Sequence, residues 1–180
     1  MKKNVFWITE TAAMLALLIA LQWVSKPLGQ LVTGSLVNTV LAVSALFGGL
    51  SCGLTVAFLS PVFAYLLGIA PNLIAVPVIM IGNALFVTLL TLLTGKPLWK
   101  RIWAWLAAAV GKFAVMYALI VWVVCGLAGE FLLAQGLLKA PMLNMLPATF
   151  SWPQLVTALI GGGISLVIVP ILKKALHRIS

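Results

Sequence analysis

The sequence predicts an all-α integral membrane protein: one domain over residues 1–180, built as six transmembrane helices with both termini cytoplasmic. Three observations carry that reading. First, 64% of the 180 residues are hydrophobic, only 7% are charged, and the mean hydropathy is +1.24. A soluble domain carries about a quarter charged residues, so this chain lacks the polar groups to cover a water-facing surface. Second, Gly, Pro and charge divide the sequence into six apolar runs, several close to the roughly 20 residues that a membrane-spanning helix needs. Third, the basic residues gather at the ends of those runs. That is the pattern of membrane topology rather than of nucleic-acid binding, despite a net charge of +9.

The runs are 5–24, 33–49, 52–68, 73–94, 101–127 and 153–172. Helices are expected because lipid offers no partners to an open sheet edge, and no ten-residue alternation suggests a β-barrel. The first run follows a basic start, MKKNVFW, that resembles a signal-peptide opening. Glu10 interrupts it, and the rest of the chain is equally apolar, so an uncleaved first span is expected. It carries Ala12, Ala16 and Ala20 at a period of four, a small-residue stripe that lets another helix approach; periodicity alone favours packing inside the bundle. The second run is the most polar, with Thr33, Ser35, Asn38, Thr39 and Ser44.

Orientation follows from the cations. With the N-terminus inside, Lys2, Lys3, Lys96, Lys100, Arg101, Lys173, Lys174 and Arg178 are cytoplasmic, and only Lys26 and Lys139 lie outside. Trp99, Trp103 and Trp105 fit an inner interfacial belt, and Trp23 and Trp152 an outer one. The inner connections, 48–53 and 94–101, are short. The outer ones, 25–34, 68–72 and about 128–152, are richer, and the last is expected to hold a short interfacial helix. An elaborated outer face suggests a site that opens outward.

The inventory argues against an enzyme. His177 is the only histidine, there is no Asp, and Glu10 and Glu130 lie near opposite membrane faces. No acid pair, catalytic triad, metal-ligand cluster or cofactor motif can be assembled from this set. Cys52 and Cys125 are lone thiols in apolar runs and read as packing residues. No phosphate-binding loop precedes Lys96 or Lys112, so ATP hydrolysis by this chain is not expected. No carboxylate lies in mid-membrane to couple transport to protons, and energy for active transport would have to come from another subunit.

Lys112 is the sharpest feature. It lies eleven residues beyond Arg101, near the bilayer midplane. A lysine there costs on the order of 2.5–3.5 kcal/mol. It reads either as the lining of a polar cavity that meets a ligand carboxylate, phosphate or carbonyl, or as a structural lysine bonded to backbone carbonyls and water. Asn83, in IMIGNALF, is placed similarly on the fourth run, facing a neighbouring helix or the same cavity. On the sixth run Gln154, Thr157, Gly161 and Ser165 share one helical face, beside Gly162 and Gly163. That face could admit a ligand or simply another helix. Asn38 and Ser35, then Tyr117 and Asn72, are weaker candidates.

Taken over the whole chain, the length, six runs and inward termini, with TAAMLALLIAL in the first run, PVIMIGN in the fourth and GKFAVMY in the fifth, resemble a substrate-binding S component of an energy-coupling factor transporter. The resemblance implies capture of a vitamin, cofactor precursor or metal ion outside the cell. It implies docking through Ala12, Ala16 and Ala20 onto a membrane coupling (T) subunit bearing two ATP-binding cassette ATPases, with delivery inside by toppling in the lipid of the cell membrane. It places the substrate site on spans four to six, supporting Lys112, Asn83, Gln154 and Thr157, with 25–34 and 68–72 as lids. The N-terminus lacks the histidine motif of the family's metal-binding members, which argues against nickel or cobalt. A lysine with no carboxylate argues against a cationic ligand such as thiamine. The expected cargo is a small organic molecule with an anionic or carbonyl group. The rival readings are a membrane scaffold whose polar residues only join helices, and an autonomous channel or facilitator.

Overall fold

The computed structural model describes residues 2–70 and 72–176, with side chains from Val5 onward. Pro71 of the second outer loop, the tail residues His177 and Arg178, and the side chains of Lys2 and Lys3 lie outside the described residues. Helix α1 runs over Lys2–Ser25, and a 3-10 turn over Lys26–Leu28 leads to α2, Gln30–Gly48. Gly49, at φ 87°, makes the turn into α3, Leu50–Leu66, a conformation glycine adopts without steric cost. Helix α4 spans Ala75–Leu93, and α5 spans Leu98–Ala118 and continues as a π-helix over Leu119–Leu127. Two short helices come after it, α6 (Gly129–Ala134) and α7 (Ala140–Thr149), before α8, Trp152–Ala175. There is no strand among the described residues.

Each of the six apolar runs is a helix, and each helix covers nearly the expected stretch. Five helical stretches are long and apolar enough to cross a membrane; α3, at 17 residues, is shorter. At 1.5 Å per residue it extends about 25 Å, against the roughly 30 Å of a hydrocarbon core. The outer connection expected to hold one short helix holds two.

Helix α2, the most polar run, is at the centre, packed chiefly against α8 and flanked by α1, α3 and α4. Thr33, Ser35, Asn38, Thr39 and Ser44 are all buried. Their cost is low because Ser35, Thr39 and Ser44 hand their hydroxyl protons to their own helix, to the carbonyls of Leu31, Ser35 and Val40. Thr33 donates to the Ser25 carbonyl. Close approach of α8 depends on glycine: a Cβ at Gly161 would lie 2.6 Å from both Asn38 Cβ and the Ser35 carbonyl oxygen.

Two expectations are corrected by the packing. Trp105 does not belong to an interfacial belt. Its indole N–H donates to the Leu159 carbonyl at 3.0 Å, and its ring fills the hollow left by Gly162 and Gly163, where an added Cβ would meet it. Trp99, Trp103, Trp23 and Trp152 are exposed, as a belt requires. The alanine stripe does not pack inside the bundle: Ala12, Ala16 and Ala20 are all exposed on α1.

The core has two parts. One joins α1–α5 and α8 around Leu18, Leu41, Val56, Phe86 and Ala108. The other joins α4, the π-helical end of α5 and the α6–α7 pair around Val78, Met116, Ile120, Leu146 and Phe150. Between them lies a cavity.

Candidate ligand site

The buried face of α5 is Ala104, Ala108, Ala109, Lys112 and Met116, with Lys112 in a row of period four from Ala104 to Met116. The alanines bring the helix close to its neighbours, so the lysine stem enters the bundle rather than the lipid. Gly82 on α4 completes the space. A Cβ there would collide with the Met116 side chain and lie 3.7 Å from Lys112 Cγ. Lys112 is 2% exposed.

Its Nζ donates to Asn38 Oδ1 at 2.6 Å and to Asn83 Oδ1 at 2.7 Å, and lies 5.6 Å from the centre of the Phe86 ring. Amide oxygens and an aromatic face favour a cation without supplying a formal negative charge. The partners of Nζ are side-chain amides rather than backbone carbonyls. Asn38 Nδ2 donates in turn to Thr157 Oγ1 at 3.2 Å, whose hydroxyl donates to the Gln154 carbonyl at 3.1 Å. Helices α2, α4, α5 and α8 therefore meet at Lys112 Nζ through a continuous hydrogen-bond chain.

Neither carboxylate of the protein reaches it. Glu10 Oε1 lies beside Gly48, ten residues along α2 from Asn38 and hence about 15 Å away along the axis. Glu130 is exposed on α6.

Lys112 forms one wall of a cavity of about 250 Å³. Asn38, Asn83 and Gln154 line it too. The outer segments expected to act as lids both contribute, through Lys26, Gly29 and Gln30 on one side and Gly68, Ile69 and Ala70 on the other. The rim is cross-tied. Lys26 Nζ donates to the Leu67 carbonyl at 3.0 Å, and Gln30 Nε2 donates to the Thr149 carbonyl at 2.9 Å. Apolar wall is supplied by Val37, Pro61, Ala64, Ile79, Met116 and Phe150.

Among the described residues, three buried polar atoms without a hydrogen-bond partner belong to residues of this same wall: Gln22 Oε1, Ser60 Oγ and Asn83 Nδ2. An unpaired buried polar atom costs about 1–3 kcal/mol.

The structure brings together Lys112, Asn38, Asn83 and Gln154. It sets Thr157 behind Asn38, off the cavity wall, as a positioning residue. Asn72 stands elsewhere. Its Nδ2 donates to the Leu137 carbonyl at 3.1 Å and contacts Met142 Sδ at 3.3 Å, while its Oδ1 accepts from the Ile74 N–H at 3.1 Å. That side chain anchors the start of α4 to the α6–α7 region rather than facing the cavity. Gln22 and Ser60 were not singled out by sequence. Each is a polar residue in an otherwise largely apolar run, and that polarity was the only available signal.

The described residues hold no group of three or more His, Cys, Asp or Glu that could bind a metal ion. Cys52 is buried and Cys125 half-buried, both as free thiols. Comparison with known protein families, with curated proteins and with solved structures finds no match to this chain.

Proposed function

We propose that the chain is the substrate-capture component of an energy-coupling factor importer in the cell membrane, binding a small water-soluble organic molecule in the cavity around Lys112. In this reading both termini are cytoplasmic, α3 is a sixth and shorter span, and the cavity opens outward. The cargo then passes inward when α1 docks, through Ala12, Ala16 and Ala20, on a membrane coupling subunit with two ATPases.

The observation that carries the proposal is Lys112 itself, buried without a carboxylate in a cavity edged by three unpartnered polar atoms. As an ammonium, Lys112 has three N–H donors, and the two asparagines take two of them. In this reading the third N–H serves a ligand carboxylate or carbonyl, and Asn83 Nδ2 and Gln22 Oε1, unpaired in residues of the cavity wall, become further partners when their side chains turn toward it. The apolar wall fits a compact ring or alkyl body. At about 250 Å³ the cavity falls just below the usual range of ligand sites, roughly 300–1,000 Å³, and so suits a compact molecule. Exposure of the alanine stripe supports the docking role, since a stripe turned outward is available to another helix.

The test is affinity purification from native membranes in mild detergent, with co-purifying proteins identified by mass spectrometry. One membrane coupling protein with two ATPases is the expected result. Recovery of the chain alone, under conditions that keep other transporter complexes intact, contradicts it. Flux through liposomes containing this chain alone would establish the channel reading instead.

A further inference from the structure

A second cavity, of about 510 Å³, lies at the other end of the bundle. It is walled by Leu46, by the α4–α5 connection with Thr94, Gly95, Lys96 and Arg101, and by one face of α8. Four cations border it, Lys96, Arg101, Lys173 and Lys174, and among the described residues no acidic side chain joins its walls. Arg101 is oriented there by its own backbone neighbour: Nε donates to the Gly95 carbonyl at 3.2 Å, which fixes the plane of the guanidinium.

The arrangement is graded along α8. Leu166, Val169 and Pro170 form the wall toward the middle of the helix, and Lys173 and Lys174 stand at its end. From Leu166 to Lys173 the helix rises about 10 Å, the spacing over which a bilayer changes from acyl chain to headgroup. Exposed Trp99 and Trp103, on the first turns of α5 beside Arg101, are the aromatic residues expected at that same level. A soluble anion would use the cations and leave the apolar wall empty; a phospholipid uses both.

We propose that this groove is a binding site for an anionic phospholipid, with the phosphate held among Arg101, Lys173, Lys174 and Lys96 and an acyl chain against Leu166, Val169 and Leu46. The site is independent of the Lys112 cavity and of any transport role. It rests on the membrane-embedded reading of the helices and on the inward orientation of this end. Its place at the positively charged end of the bundle matches the leaflet in which anionic lipids attract basic segments.

The test is native mass spectrometry of the detergent-purified full chain. It is titrated with phosphatidylglycerol and phosphatidylcholine of identical acyl chains, alone and in the presence of inorganic phosphate. Phosphatidylglycerol should bind in preference. That preference should fall about fivefold for each charge removed in Arg101→Gln and in Lys173→Gln. Lys139→Gln, which removes an equal charge far from the groove, should leave it unchanged. Lys173→Gln keeps the test meaningful if Arg101→Gln disturbs the α4–α5 connection. Equal binding of the two lipids, an unchanged preference in both groove variants, or displacement of phosphatidylglycerol by millimolar phosphate would overturn the assignment.

Discussion

Helices α1 and α2 are joined through a single 3-10 turn, and as candidate membrane spans they have equal mean hydropathy. Yet 17% of the α1 span is buried inside the protein, against 56% of the α2 span. What differs is how much of the inward face is polar: α1 buries Thr11, Gln22 and Ser25, and α2 buries Thr33, Ser35, Asn38, Thr39 and Ser44. In α2 these side chains form the inward face, satisfied by their own helix except at Thr33, which donates to the Ser25 carbonyl, and at Asn38, which reaches Lys112 and Thr157. In α1 the outward face is apolar, with Ala12, Ala16 and Ala20 leaving a shallow strip on it. Lipid is as apolar as a protein core, so hydrophobicity does not sort helices between inside and outside here; polarity and small residues do. In the proposed function α2 serves the ligand, and the exposed face of α1 serves a partner while Gln22 on its buried face borders the cavity; that division can be broken at four places.

The largest effect is expected at the α2–α8 seam. Gly161→Leu would drive a side chain into the Ser35 carbonyl and the Thr39 amide, backbone atoms that cannot turn aside. A loss of about 3 kcal/mol is expected, read as a fall in the detergent melting temperature. Ala12→Leu, on the exposed strip of α1, should change stability by less than about 0.5 kcal/mol. Equal effects would show that the two helices do not differ as described.

Lys112→Ala comes next. It removes a charge-assisted donor from the cavity and should raise the dissociation constant of the cavity ligand about 10- to 100-fold, as the loss of about 1.5–3 kcal/mol implies. An unchanged constant, measured by calorimetry, would remove Lys112 from the site.

Ala16→Trp should do the reverse. Ligand affinity stays unchanged, while docking of a coupling subunit weakens by about 1–3 kcal/mol because the two helices can no longer meet closely. Co-purification with the partner reads it. If both variants impair the same property, the division of labour between α1 and α2 fails.

The smallest effect on binding is expected at Asn72. Asn72→Ala removes the bonds to Leu137 and Ile74, costing about 1 kcal/mol of stability, and should shift the ligand dissociation constant by less than about twofold. A large loss of affinity would mean that the outer loop enters the cavity.

The elements were legible because a membrane leaves few solutions: a long apolar run bounded by Gly, Pro or charge is a helix, and each of the six runs is one. Lys112 and Asn83 were legible for a similar reason, since a polar group at mid-membrane needs partners. What sequence left open was the third dimension. Periodicity placed Ala12, Ala16 and Ala20 on one face without saying whether that face met protein or lipid. Trp105 looked like its neighbours Trp99 and Trp103 until Gly162 and Gly163, far away in sequence, supplied the hollow that takes it. Gln154 and Thr157 share a helical face, yet one lines the cavity and the other supports Asn38 from behind. Gln22 and Ser60 share no motif or spacing with the other polar residues, and only the packing of α1 and α3 against the cavity brings them together.

The most direct measurement exposes the purified protein to a small-molecule extract, separates it by size exclusion, and identifies what stays bound by mass spectrometry, with Lys112→Ala and Asn72→Ala in parallel. One compact molecule carrying a carboxylate or carbonyl should be retained by the natural protein and by Asn72→Ala, and lost from Lys112→Ala. Retention of the same molecules by all three, or by none, would contradict a ligand site centred on Lys112.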